Sequence, residues 1–240
     1  MPQSAQKRFS IIACSVFKNE LEQAKERSKA VSCDFFEMGL HIVPEKLRQQ
    51  LQNMIDECAQ KNSPDYILLL CGLCGNAVLG LKCDACELVI PRIHDCISMF
   101  LGSSERYFEL KEKYPRAYFA SAGWIDSDLL PSQKLFESTR KKFEEKYPDD
   151  DEMIDELMDA FAEQFKEYNT YFYTEFQNCK TCMHECKKYA DFMNWGFQYI
   201  ESDPRFFIDA ISMNWDERFL IVPKSRSIKQ SVGGKILDIQ

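Results

Sequence analysis

At 240 residues, 45% of them hydrophobic, the chain can bury a sizeable core, and one α/β domain over residues 1–240 is the simplest expectation. A formal charge of -8 lacks the dense basic surface that a phosphate backbone requires, so nucleic acid is excluded and a small molecule or protein partner is expected. No apolar run approaches the roughly 20 residues of a membrane-spanning helix, and "MPQSAQKRFS" lacks the apolar centre of a secretory signal, so no membrane partner and a cytoplasmic location are expected.

The predicted strands are "FSIIAC" (9–14), "CDFFEM" (33–38), "YILLLC" (66–71), "ELVIP" (87–91) and "AYFASA" (117–122). Between them lie "NELEQAKERS", "PEKLRQQLQNMIDECAQK" and "SMFLGSSERYFELKEKY", all of helical period, the second with proline where a first helical turn tolerates one. Apolar strands alternating with helices predict an α/β fold, a Rossmann-like parallel sheet flanked by helices. Beyond residue 125 the sequence turns charged and aromatic, and residues 131–215 are predicted as a mostly helical insertion in the C-terminal half. "FLIVPK" (219–224) and "KILDI" (235–239) return the chain to strand.

Eleven cysteines in a chain expected to live in a reducing compartment are thiols, metal ligands or redox catalysts rather than structural bridges, and their number points to an oxygen-poor host. Ligands of parallel α/β sheets bind beyond the carboxyl ends of the strands. Cys14 ends the first predicted strand, His41 follows the second, Cys71 and Cys74 the third, His94 and Cys96 the fourth, and Trp124 the fifth. Thiolates with imidazole suit zinc or iron, so Cys14, Cys74, His94 and Cys96, with His41 near, are expected to share a metal or reactive-thiol site. Asp95 orients the imidazole or caps the following helix.

"CGLCGNAVLGLKCDAC" (71–86) has the spacing of a four-cysteine zinc knuckle, but a right-handed crossover places its two pairs at opposite edges, leaving Cys83 and Cys86 as ordinary thiols. Cys71 and Cys74, read as leading into a helix amino terminus, are candidates for thiol–disulfide exchange through a depressed thiolate pKa. Cys179, Cys182 and Cys186 share one helical stripe, able to ligate an iron-sulfur cluster or to pack as small apolar residues.

The segments "IIACSVFKNEL", "GLHIVPEKLRQQLQNMID", "CGLCGNAVLGL", "LVIPRIHDCISMFLGS", "YFASAGWI" and "FLIVPKSRSI" resemble the uncharacterised family known as domain of unknown function 1638. "GLCGN" and "PRIHDC" are its most specific motifs here. The resemblance implies an α/β protein of mostly anaerobic bacteria and archaea, found alongside corrinoid-dependent methyl-transfer systems. Its matched polar positions are Cys14, Glu20, His41, Cys74, His94, Asp95, Cys96 and Trp124, whereas Cys71, Cys83, Cys86 and the Cys179, Cys182 and Cys186 trio lie outside the pattern.

The resulting expectation is an enzyme or enzyme partner in one-carbon metabolism, with zinc or iron bound by Cys14, Cys74, His94 and Cys96, and with Cys179, Cys182 and Cys186 as further metal ligands. Cys74, His94 and Asp95 would act on the substrate, His41, Trp124 and Glu20 would contact a cofactor, and a corrinoid would come with a protein partner. The alternatives are a non-catalytic carrier of a metal, cluster or cofactor, with aromatic residues (13%) lining its pocket, or the thiol–disulfide oxidoreductase.

Overall fold

The computed structural model describes residues 7–24, 26–176, 180–232 and 236–240, and contacts along the chain divide it into two units, Met1–Ser104 with Asp203–Gln240 and Glu105–Ser202. The first unit opens with β1 (Phe9–Cys14), α1 (Lys18–Gln23), β2 (Cys33–Phe36), α2 (Pro44–Asn62), β3 (Tyr66–Leu70), β4 (Glu87–Pro91) and α3 (Ile97–Leu101). Starting at the boundary, α4 (Ser104–Lys113) leads into β5 (Ala117–Ala120), α5 (Ala122–Asp126), α6 (Gln133–Lys146), α7 (Asp151–Glu163), β6 (Thr170–Tyr173), α8 (Lys180–Met193) and β7 (Gly196–Tyr199) of the second. The chain then returns to the first unit through α9 (Arg205–Ile211), β8 (Phe219–Val222), β9 (Ile228–Gln230) and β10 (Leu237–Ile239).

In the first unit every residue of β1 and β3 is buried, as expected of strands covered on both faces. They sit in a five-stranded sheet of order β2-β1-β3-β4-β8. β2, β1, β3 and β4 run parallel, whereas β8 pairs antiparallel with β4. Leu47, Leu51, Ile55, Cys58 and Ala59 form the buried stripe of α2, which begins with Pro44 in its first turn, packs on β1 and β3, and ends at Ser63 in a left-handed conformation (φ 43°). The predicted helix over residues 98–114 is broken into α3 and α4 at Gly102, whose φ of 84° ends the first piece.

The second unit corrects the sequence reading. β5 belongs to a separate parallel sheet of order β5-β6-β7 rather than to the main one. Thr170–Tyr173 and Gly196–Tyr199, read above as helical, are its other strands. The charged helices on either side dominated the periodic signal, while "TYFY" and "GFQY" carry the aromatic, β-favouring residues that pack on a pleated surface. Tyr171 and Tyr173 from β6 lie in a core with Ala120, Ile125, Leu130, Cys186 and Ala190. α6 and α7 pair beside it, their first turns capped by the Ser132 and Asp150 side chains. The predicted last strand at residues 235–239 begins outside the described residues; Leu237–Ile239 forms β10, antiparallel to β9. Among the described residues, no helix is long and apolar enough to cross a membrane.

Candidate functional site: thiols and an imidazole at a sheet edge

Cys14 is the last residue of β1, and because Ala13 pairs with Leu70, Cys71 stands level with it on the neighbouring strand. β2 runs into a tight turn, Met38–Ile42, that carries His41. β4 leads through Ile93, His94 and Asp95 to Cys96 at the start of α3. Three loops thus converge at the carboxyl ends of adjacent parallel strands.

Two backbone features fasten them. Leu73 N–H donates to the Ile93 carbonyl at 3.0 Å, and Gly72 lies so close to the next loop that a Cβ there would sit 2.9 Å from the His94 carbonyl oxygen and 3.2 Å from the Asp95 Cα. Only glycine fits. Cys74, Gly75 and Asn76 follow with φ of 50°, 63° and 71°, three successive left-handed residues of which two carry side chains. The Ala77 N–H donates to the Cys74 carbonyl at 3.2 Å, and the Arg48 guanidinium donates to the Asn76 carbonyl at 3.1 Å. Turned this way, Cys74 Sγ lies 3.1 Å from His41 Nε2.

His41 Nδ1 stands 2.6 Å from the Met38 carbonyl, an acceptor, so Nδ1 carries the proton and donates. The other ring nitrogen, Nε2, faces the Cys74 thiol. The Cys96 thiol is pulled well below the ordinary range chiefly because it accepts hydrogen bonds from Cys14 and Cys74, which with smaller pulls from His41 and the Gly72 N–H outweigh its burial. Its partners move the other way: Cys14 is raised mainly by its bond to Cys96 and by burial, and Cys74 by its bonds to Cys71 and Cys96. The result is a chain of contacts, Cys14 to Cys96 to Cys74 to Cys71 and His41.

The sequence reading underrated Cys71, whose place beside Cys14 follows once β1 and β3 are neighbours. It also placed a helix after Cys71 and Cys74. The chain makes turns there instead, so no helix dipole lowers these thiols, and Cys74 is raised rather than depressed.

His94 is exposed, and it is its backbone that meets Gly72. Asp95 accepts from the Ile97 N–H at 2.8 Å, the capping role at the start of α3. Glu20 is buried in the first turn of α1. Trp124 lies in α5 of the second unit, packed against that unit's core. Cys182 and Cys186 belong to the same core, where burial pushes the Cys186 thiol up to about 12; Cys179 lies outside the described residues. Cys83 and Cys86 sit at the other end of the main sheet, just before Glu87, which pairs with Tyr66 at the start of β3. Among the described residues, no group of three or more His, Cys, Asp and Glu side chains is set, as the side chains stand, to hold a metal ion.

A mostly parallel α/β unit that gathers thiols and an imidazole at its carboxyl edge, followed by a second parallel sheet, defines a cysteine-rich α/β protein. Over residues 35–211 the chain matches the family described as Protein of unknown function (DUF1638), and it belongs to that family. The match begins inside β2, so His41, Cys71, Cys74 and Cys96 fall within it, and Cys14 and Glu20 precede it. Comparison with curated proteins and comparison with solved structures each returned no match.

Proposed function

We propose that Cys14, Cys74, Cys96 and His41 bind a thiophilic metal, zinc before iron, and that the protein serves as an enzyme or enzyme partner in anaerobic one-carbon metabolism. The observation that carries this reading is the convergence of three thiols and an imidazole Nε2 at the carboxyl ends of β1, β2, β3 and β4, with Cys71 in contact with Cys74. The order β2-β1-β3-β4 supports a Rossmann-like reading of the first unit: β2 lies on one side of β1 and β3 on the other, so the chain reverses direction across the sheet between β1 and β3. That reversal is where ligands of such sheets bind.

The donor set fits the metal chemically. Three thiols and one imidazole form a tetrahedral zinc set, and bonds of about 2.3 Å to sulfur and 2.0–2.1 Å to nitrogen give S···N edges of roughly 3.6 Å. The 3.1 Å from Cys74 Sγ to His41 Nε2 is a few tenths of an ångström short of that edge, so this pair needs only a small adjustment to share a metal. The bond from Nδ1 to the Met38 carbonyl is the outer support that metal-bound histidines use. Cys14 and Cys96 are buried, whereas Cys74 and His41 are half-buried, so a substrate reaches the site from the Cys74 and His41 side. Bound zinc supplies Lewis acidity that keeps a thiol deprotonated at neutral pH, which suits methyl transfer to or from sulfur. The association implied by the family resemblance supports a corrinoid-carrying protein as partner.

The test is elemental analysis of anaerobically purified full-length protein, together with the absorption spectrum after loading with Co(II). The expected result is about one equivalent of metal, with sulfur-to-cobalt charge-transfer bands. His41→Ala and Cys96→Ser should lose the metal and Cys83→Ser retain it. Folded protein without transition metal, with Cys14, Cys74 and Cys96 all freely alkylated and no such bands with cobalt, overturns the reading.

A further inference from the structure

A second pair of thiols lies apart from this site. Cys83 and Cys86 close a short loop at the amino end of β4, with their sulfurs 3.4 Å apart. The loop is fixed on both flanks. Gln52 of α2 exchanges hydrogen bonds with the Lys82 backbone at 3.0 and 3.2 Å, Ser225 N–H donates to the Cys83 carbonyl at 2.9 Å, and Lys82 is bridged to Ser227. Asp84 and Ala85, the two residues between the cysteines, are exposed, so the buried sulfurs lie directly beneath a solvent-facing turn.

We propose that Cys83 and Cys86 are a reversible dithiol–disulfide couple that exchanges with small aliphatic disulfides. Closing the bond requires the sulfurs to approach from 3.4 Å to about 2.05 Å, a movement of side-chain torsions within a loop whose ends are already pinned. The pair is asymmetric. Cys83 Sγ accepts from the Cys86 thiol and from the Cys86 and Ala85 N–H groups, which outweigh burial and the nearby Asp56 and lower its pKa to about 6. Cys86 is raised by its bond to Cys83 and by burial, with Cys58 adding to that and Lys224 opposing it. Cys83 is therefore the attacking sulfur and Cys86 the resolving one.

The Cys83 thiolate attacks one sulfur of the incoming disulfide, whose S–S bond breaks, and the departing thiolate takes a proton from water. Cys86 then gives its proton to solvent and attacks Cys83 Sγ, displacing the second small thiolate, which is protonated in turn. Two protein thiols are oxidised and one disulfide is reduced to two thiols. This couple stands independently of the metal reading.

The experiment equilibrates the folded full chain, free of oxygen, in mixtures of 2-hydroxyethyl disulfide and 2-mercaptoethanol, then quenches with acid, alkylates with a maleimide and digests with trypsin. Cleavage after Lys82 and Arg92 puts both cysteines in one peptide. As the disulfide share rises, that peptide should lose both maleimides and two hydrogens while Cys186 stays alkylated after denaturation. Cys86→Ala should trap one mercaptoethanol on Cys83, at least about tenfold faster at neutral pH than Cys83→Ala traps it on Cys86. Alkylation of Cys83 should rise with a midpoint near pH 6 in the wild type, and at higher pH in Cys86→Ala, which removes a hydrogen-bond donor. A doubly alkylated peptide at every mixture, equal trapping by the two variants, or a wild-type midpoint at the ordinary thiol value of about 8.5 overturns the proposal.

Discussion

Gly72→Ala tests the architecture of the thiol site directly. The φ of Gly72 lies outside the left-handed region, so the substitution fails only for space: the new methyl would meet the backbone of His94 and Asp95 at 2.9–3.2 Å, with no flexible side chain to yield. The loops must part, stretching the Leu73 to Ile93 hydrogen bond and separating Cys96 from Cys74. Overpacking of this kind costs roughly 1–3 kcal/mol. For a chain of this length that lowers the melting temperature by about 2–12 °C, and expressed as local opening it multiplies access to the buried thiols by roughly 5- to 160-fold. Thermal unfolding followed by circular dichroism reads the first effect. Time-resolved alkylation of Cys14, Cys74 and Cys96, with Cys186 in the second unit as internal reference, reads the second. A variant that melts within about 1 °C of the wild type and alkylates at the same rate would refute the close approach of the two loops.

Two further outcomes follow from the second unit. The Cys186 thiol is held up to about 12 by burial alone, so the folded state keeps a proton that the unfolded chain releases above its ordinary value of about 8.5. The stability this contributes is complete below that value and is lost as pH rises toward 12, and replacing Cys186 by Ala should flatten the fall in unfolding free energy by about 1.4 kcal/mol per pH unit in that window. An unchanged slope in denaturant titrations would show that Cys186 is solvated. Tyr171 donates its hydroxyl to the Pro131 carbonyl at 2.6 Å in a buried setting; Tyr171→Phe should cost roughly 1–3 kcal/mol by leaving that carbonyl unpaired, measurable as a lower denaturant midpoint at constant slope, and no change would mean that water replaces the bond.

β1 and β3 at the centre of the main sheet were legible because they are nearly pure apolar runs, and the helix after Pro44 because its buried positions keep strict helical spacing. β6 and β7 were not, since four aromatic-rich residues between long charged helices leave too short a period to register. At the site, placing Cys14, His41, Cys74 and Cys96 needed only the ends of strands. The exposure of His94 needed more: it is set by Gly72, which draws the His94 backbone rather than its ring toward the loop after β3. Asp95 followed local rules and capped α3. Whether the two Cys-x-x-Cys pairs form one knuckle is decided by strand direction, because residues 71–86 join two parallel strands and their two ends cannot lie at the same edge.

The first unit is interrupted in sequence by the second, and this dictates an order of events during synthesis. Cys14, His41, Cys71, Cys74 and Cys96 have all been translated by residue 96, but β8, which covers the outer edge of β4, arrives only after the intervening Glu105–Ser202 segment. At about 5–20 residues per second the ribosome needs roughly 5–20 s to produce that stretch. During this interval β4 is an open edge on a nascent chain that already carries these five residues, while the second unit, whose three strands are all contained within it, emerges complete. Slowing translation after residue 96 would lengthen that exposure.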